Sequence, residues 1–388
     1  VEDVLAEQAA ALTPEDRRHA WFLALGVLRH RSHVDAALRP GLDRPLGGLD
    51  PELRAVLRLG AFELGYGRVG AHAVVHQAVE VARAIGAGRG SGLVNAVLRR
   101  VRAPERLSRS ERVDHPAWLV ARWDDRYGPV ATDRWCEANN EPPPLVIIGR
   151  DDTIGVDLAA AGLTVEPVTA GCRAVARAWR VDGHRGSIEE IPGFAEGRWW
   201  VQDPSSAAVA DLVRSTGTVL DACAAPGGKS WRLASRGARV TAIDLDPKRI
   251  QRLRDQLPRL RFDVETRVHD WEQGPIPDFP TFDAVLVDAP CTGLGTVGRH
   301  PEIRWRRTEQ DLGPAAALQR RVLTAASAHV RSGGELVYSV CSAEPEEGID
   351  VVNAFLAEHP EFALDETFAS APPEHGEDGF FGARMVRT

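Results

Sequence analysis

The chain predicts a multidomain protein in which an all-helical first third and a small α/β middle module precede a C-terminal, doubly wound α/β sheet. Three observations predict this. Residues 1 to about 112 repeat apolar positions at helical spacing. The run Pro142-Pro143-Pro144 then breaks the pattern ahead of short strand-like segments. From about residue 201, apolar runs alternate regularly with helix-like segments, as in a largely parallel sheet whose ligands lie beyond the strand C-termini. These changes of character place the domains at 1–112, 113–200 and 201–388.

In the first third, Thr13-Pro14-Glu15-Asp16 combines an N-cap, a proline at the first helical position and acids in the first turn, ahead of Ala20 to Leu28. Asp50-Pro51-Glu52 repeats the device, and Leu53, Val56, Leu57, Gly60 and Leu64 then share a helical face. A third helix runs from about Val74 to Ile85. A fourth opens at Ser91 and carries Leu93, Val94, Val97, Leu98 and Val101 on one stripe. Arg99, Arg100 and Arg102 at its end complement the helix dipole and are candidates for contact with a polyanion such as RNA. Residues 1–110 hold 16 arginines against 12 acids, although the whole chain carries a net charge of −8. A basic front end on an acidic protein is suited to phosphates; solvated helix faces would give the same count.

The middle module offers short strands at Leu145 to Ile148, near Leu163 to Val168 and near Ala174 to Val181, and Trp199-Trp200 reads as packing. Beyond it, two strands end in Asp221 and Asp244, and a third, Val264 to Val268, leads to Asp270. Phe282 to Val287 ends in Asp288-Ala289-Pro290-Cys291. Gly313 to Val330 is helix-like, Gly333-Gly334 is expected to turn the chain, and Leu336 to Val340 ends in Cys341-Ser342.

The stretch Val219 to Ser230 organises this third part: a buried strand, a tight glycine turn and a helix start. Glycine there lets backbone amides approach a ligand. Asp244, 23 residues after Asp221, suits ribose hydroxyls. A P-loop would need a glycine five positions before Gly228, where Cys223 stands, and Pro226 removes an amide from any phosphate cradle. A plain structural turn remains possible on this stretch alone. A nucleoside cofactor without a phosphate cradle fits better, and S-adenosylmethionine is such a molecule.

Composition excludes other classes. Apolar residues at 44% and charged ones at 26% are ordinary for a soluble protein, no apolar run approaches the length of a membrane span, and the first residues lack a basic leader. Five scattered cysteines without a C-x-x-C pair argue against a disulfide framework and a structural zinc, and place the protein in a reducing cytoplasm. His72, His76 and His300 show no metal spacing, and no metal is expected. Only two of the 47 basic residues are lysines, so Lys229 in the turn after Asp221 hints that a compact ammonium is wanted there.

Cys291 and Cys341 each follow a strand at one sheet edge. A lone strand-end cysteine is ordinary filler; two at one edge beside a methyl-donor site point to methylation of a pyrimidine carbon. C5 of cytosine is a weak nucleophile until a thiolate adds to C6 and makes the ring an enamine. A carboxyl group at N3 assists that addition, and after transfer a base must take the C5 proton while the thiol departs. Such chemistry uses one cysteine as nucleophile and a second for release. Arg299, Arg304, Arg306 and Arg307 around Trp305 form a basic, aromatic-interrupted loop suited to RNA phosphates and a stacked base.

Two resemblances follow. Leu57 to Leu64, His76 to Ala82 and Val94 to Arg99 resemble the NusB domain, a helical RNA-binding domain. Cys223 to Lys229, Asp288-Ala289-Pro290-Cys291-Thr292-Gly293, His300 to Trp305 and Tyr338 to Ser342 resemble the RNA cytosine-5 methyltransferases. With the NusB-like front end, the chain is similar to the RsmB (Fmu/Sun) branch, which methylates 16S ribosomal RNA. Glu344 to Glu347 and Asp378 to Phe381 continue the likeness, while Val340, Glu302 and Arg304 replace the branch's threonine, aspartate and lysine. The resemblance implies a Rossmann-like class I domain using S-adenosylmethionine. It makes Cys341 the nucleophile and Cys291 the release cysteine, and places Asp288 against N3 and the exocyclic amine. Cys223, Ala224, Ala225, Pro226, Gly227, Gly228 and Lys229 would embrace the methionine end of the cofactor, with Lys229 facing substrate. Asp244 would hold the ribose, Asp270 the adenine, and Asp288 would border the same site. Arg99, Arg100, Arg299, Arg304 and Trp305 are the RNA-contact candidates. A monomer is favoured, with no membrane partner. An inert methyltransferase fold that only binds RNA, or an enzyme acting on transfer RNA, are the alternatives.

Overall fold

The computed structural model describes residues 2–101, 111–184, 186–371 and 376–388, so Arg102 lies outside the described residues. The chain divides into two compact units: Val1–Glu141 with His300–Arg306, and Pro142–Arg299 with Arg307–Thr388. The stretch 113–200 is thereby shared, its helices Ala117–Tyr127 and Pro129–Asn140 falling in the first unit and its strands in the second.

The first unit is helical. Helices Pro14–Arg29, Arg31–Leu38, Pro51–Tyr66, Ala71–Ala84 and Ser91–Leu98 enclose a core of Leu38, Leu57, Ala82, Val94, Val97 and Leu98. Thr13 caps its helix, its hydroxyl accepting the Asp16 amide at 3.2 Å. Asp50 holds the equivalent position but makes no side-chain cap bond, so there only the proline and the acid of the anticipated device are at work. Leu53, Val56, Leu57 and Gly60 are buried as their spacing predicts, and Leu64 at the end of the stripe is half-buried.

The segment His300–Arg306 corrects an expectation. Arg304 is only 1% exposed, and its guanidinium donates to the carbonyls of Arg29, Asp114 and Asn139 and to the Asn140 side chain. Burial pulls its pKa down to about 10, which leaves it charged at neutral pH and offset by the nearby Asp114. Trp305 donates its indole N–H to Leu28 at 2.8 Å, and the Arg31 guanidinium covers its ring at 4.8 Å. Arg304 is therefore an internal packing residue that offers RNA no free charge, while Trp305 is half-buried with one ring face covered by Arg31. Arg304→Ala should lower the stability of the first unit by about 3 kcal/mol, because several buried acceptors lose their donor. Hydrogen exchange of the Arg31–Leu38 and Pro129–Asn140 helices in the full chain measures it; unchanged protection would contradict this account.

The second unit contains two sheets. β1 (Val146–Gly149), β2 (Thr164–Ala170), β3 (Arg173–Asp182) and β4 (Trp199–Val201) form an antiparallel sheet in the order β2-β3-β1-β4. Trp199 and Trp200 are buried, and their indole N–H groups donate to Pro192 and Gln202 at 2.8 Å, as packing residues do.

The larger sheet comprises β5 (Thr218–Asp221), β6 (Arg239–Asp244), β7 (Val264–Val268), β8 (Phe282–Asp288), β9 (Val330–Val340), β10 (Phe362–Ala369) and β11 (Phe381–Arg387). Its order is β10-β11-β9-β8-β5-β6-β7, parallel from β9 to β7 with an antiparallel edge at β11 and β10. Gly333-Gly334 does not turn the chain as expected. It lies inside β9, where Phe282 pairs Val330 and Ala284 pairs Glu335, and the positive φ of Gly333 (70°) lets the surplus residues bulge without ending the strand.

The topology places the chemistry. From β5 the chain moves outward through β6 and β7, then returns to the other side of β5 as β8 and β9. The C-terminal edge between β5 and β8 is thus the point where strand order reverses, the place such sheets keep for ligands. Asp244 and Asp270 end on one side of it, Asp288 and Cys341 on the other.

Candidate active site

The loop after β5 is stitched to its neighbours. Ala222 donates its amide to Leu286 and Ala224 to Ile243, each at 2.8 Å, and the Ala225–Pro226 peptide is cis. Gly227 at φ 120° then opens the helix Gly228–Ser235. A side chain at Gly227 would be strained and would strike the Trp231 ring at 2.7 Å, so this backbone stays bare.

On the β6–β7 side, Asp244 is nearly buried. One of its oxygens accepts the Ala225 amide at 3.1 Å and the other the Asp246 amide at 3.0 Å. Arg249 stands 3.7 Å from Asp244 and donates to the Ala225 carbonyl at 2.7 Å. A carboxylate so placed has lone pairs left for two hydroxyls. Asp270, half-buried, caps the short turn Trp271–Gln273 through the Glu272 amide at 3.0 Å.

On the β8–β9 side five side chains converge. The Lys229 ammonium lies 2.7 Å from Asp288, and Ser339 donates to the other Asp288 oxygen at 2.7 Å. Burial pulls the Lys229 ammonium down, but the charge of Asp288 and their hydrogen bond outweigh it and hold its pKa above the ordinary value. The sulfurs of Cys291 and Cys341 are 3.2 Å apart. Its hydrogen bond to Cys341, together with burial, pushes the Cys291 thiol well up, so it keeps its proton. Burial likewise pushes up the Cys223 thiol.

Of the residues singled out from the sequence, Lys229, Asp288, Cys291 and Cys341 meet at this edge, while Asp244 contacts the glycine loop at the Ala225 amide and Asp270 follows β7, one strand further out. Arg299 is half-buried, and its guanidinium is already engaged by Asp203 at 3.2 Å and Asp378 at 3.1 Å. Arg99 and Arg100 are exposed, with Arg99 also bonded to Asn95 at 3.0 Å. Sequence reasoning did not pick out Ser339 as a site residue, although alternation puts it on the strand face of Cys341 two residues later. It also assigned no role to the side chain of Asp221, which accepts from Ser230 at 2.7 Å and leaves its other oxygen buried without a partner among the described residues. Burial pushes this carboxyl up to about 7.

An orphaned acid beside a bare glycine turn, with a second acid one strand along, suits a cationic nucleoside. A mostly parallel sheet with that arrangement defines a Rossmann-like methyltransferase that depends on S-adenosylmethionine. Comparison with known proteins makes this specific. Residues 212–386 match the family described as 16S rRNA methyltransferase RsmB/F, and residues 1–103 match the NusB family. The chain is 33% identical over 411 residues to ribosomal RNA small subunit methyltransferase B of Serratia proteamaculans (strain 568), covering 99% of this chain and 94% of that one. The probable ribosomal RNA small subunit methyltransferase B of Synechocystis sp. (strain ATCC 27184 / PCC 6803 / Kazusa) is 32% identical over 421 residues, covering 98% and 94%. Among solved structures, PH0851 superposes with a TM-score of 0.81 at 25% identity, covering 98% of this chain and 92% of that one. The chain belongs to the RsmB/F family of 16S rRNA methyltransferases, with a NusB-family domain at its front. Among the described residues, no helix is long and apolar enough to cross a membrane.

Proposed function

We propose that this protein methylates C5 of a cytosine in 16S ribosomal RNA, with Cys341 as the attacking thiolate and Cys291 as the release cysteine. The observation that carries the reading is the pair of sulfurs 3.2 Å apart beside the Asp288–Lys229 ion pair, at the edge that also holds the cofactor loop. Bound S-adenosylmethionine supplies a methyl group made electrophilic by its sulfonium. The chain's own residues supply the rest.

Cys341 adds its sulfur to C6, and N3, where the displaced electron pair collects, takes a proton that the Lys229 ammonium supplies through Asp288, which Ser339 also holds in place. C5 thereby becomes the carbon nucleophile. Once the methyl is in place, N3 returns its proton to the Asp288–Lys229 pair and a water molecule acting as base takes the C5 proton, while the C6–S bond breaks and its electron pair returns to Cys341. Cys291, still protonated, hydrogen-bonds to the departing sulfur. The target base must leave its stack to reach this edge, at a cost of a few kcal/mol that is smaller in loops. Arg99 and Arg100, exposed at a helix end in the NusB-like unit, hold RNA phosphates.

Cys223 to Lys229 enclose the methionine end of the cofactor, Asp244 accepts from the ribose and Asp270 from the adenine amine. Asp244→Asn keeps the shape, but it turns an amide toward a backbone N–H and accepts fewer hydroxyls. It should weaken cofactor binding by about 10- to 100-fold, the value of one or two hydrogen bonds to a charged group. Titration calorimetry with S-adenosylmethionine measures it, and wild-type affinity would remove Asp244 from the ribose site.

The function itself is tested by incubating the full chain with methyl-labelled S-adenosylmethionine and 16S RNA, then identifying the labelled nucleoside by chromatography and mass spectrometry. Label in 5-methylcytidine is the expected result. Label in another nucleoside would overturn the proposal.

A further inference from the structure

Glu347 is fully buried in the loop between Cys341 and the helix Ile349–Glu358, and the chemistry above does not use it. Its partners are all neutral donors. One carboxylate oxygen accepts the Thr292 amide at 2.8 Å and the Gln319 side-chain amide at 2.9 Å; the other accepts the hydroxyls of Thr292 and of Ser342, the latter at 2.6 Å. Thr292 follows Cys291 and Ser342 follows Cys341 in the chain. One carboxylate therefore grips the residue next to each sulfur. The frame around it is also tied: Gln319 donates to the Pro290 carbonyl at 3.1 Å, and Tyr338 donates its hydroxyl to Gln319 at 3.2 Å and to the Glu347 carbonyl.

Burying an ionised carboxylate among neutral groups is costly, so a cheaper side chain would be expected if the position only filled space. Four donors from three separate segments need two acceptor oxygens with free lone pairs. Only a carboxylate offers both; a glutamine would aim an NH2 at donors on one side.

We infer that Glu347 is a positioning residue that sets the separation and mutual approach of the Cys291 and Cys341 thiols. The inference rests on the reading of those cysteines as nucleophile and release group. The negative charge acts in the same direction, since it helps to keep Cys291 protonated.

The test uses the full-length protein and the oxidant diamide, which joins two neighbouring thiols as a disulfide while its own nitrogen–nitrogen double bond is reduced to a hydrazine. The rate of Cys291–Cys341 cross-linking, located by peptide mass spectrometry, reads thiol geometry without reference to activity. E347Q should cross-link at least tenfold more slowly than wild type. It should also lose on the order of 100-fold in kcat while KM for S-adenosylmethionine and for RNA stays within about twofold, as expected for a group that matters only when the thiols act. Removing the charge favours thiolate and would by itself speed the reaction with diamide, so slowing reports misplacement rather than titration. Ser342→Ala cuts only the strut to the Cys341 loop; should E347Q not fold, a severalfold slower cross-link in Ser342→Ala supports the inference in its place. Wild-type cross-linking rates in the variants that fold would overturn the inference, whatever their activity. Full activity in Cys341→Ala would instead overturn the role of the thiols, and the cross-linking rates would tell the two failures apart.

Discussion

Cys341→Ala is expected to abolish methyl transfer to RNA, with a loss on the order of 1,000-fold or more, while S-adenosylmethionine binding stays close to wild type. The asymmetry follows from where the residue stands. Cys341 lies just beyond β9, on the side of β5 away from Asp244 and Asp270, so its removal leaves the residues proposed to hold the cofactor untouched. The loss is large because no other group at this edge can make C5 reactive: Asp288 is committed to Lys229 and Ser339, and Cys291 is held protonated. A factor of 1,000 corresponds to about 4 kcal/mol of transition-state stabilisation, modest for a covalent nucleophile. Filter binding of methyl-labelled RNA measures it, alongside calorimetry for the cofactor. Equal rates in variant and wild type would remove Cys341 from the nucleophile's role.

Cys291→Ala should fail at the other end of the cycle. Attack and methyl transfer still occur, but the C6–S bond breaks slowly, and a protein–RNA species that survives a denaturing gel accumulates in proportion to enzyme. Turnover is expected to fall about 100-fold or more, with a first round of methylation near the normal rate. The 3.2 Å contact is the basis: no other described side chain hydrogen-bonds the Cys341 sulfur. Fast multiple turnover without such a species would rule out a release role. The pair of variants separates bond making from bond breaking, which neither achieves alone.

Much of this site was legible before any coordinates, for a physical reason. In a parallel sheet, groups that act together sit at strand C-termini, so Asp221, Asp244, Asp270, Asp288, Cys291 and Cys341 announce themselves as polar residues closing apolar runs. What escaped depends on contacts between segments far apart in sequence. Glu347 looks like one acid in an acidic run until Thr292, Gln319 and Ser342 are seen to surround it. Arg304 looked like an RNA contact because arginine is ordinarily exposed; its acceptors lie on helices more than 160 residues earlier. Gly333-Gly334 reads the same whether a strand ends or bulges, and only the pairing with β8 decides. Asp50 has the residue type of a cap without the bond, since capping depends on a rotamer that sequence does not specify.

The partnership of Arg304 with Asn140, 164 positions upstream, bears on the order in which this protein can be built. Synthesis proceeds from the N-terminus, and a leading domain ordinarily settles as it emerges. Here the helical bundle leaves the ribosome with a polar socket whose cation has not yet been translated. Its final consolidation waits until most of the catalytic sheet has been made, so maturation of the front of the molecule is timed by its rear.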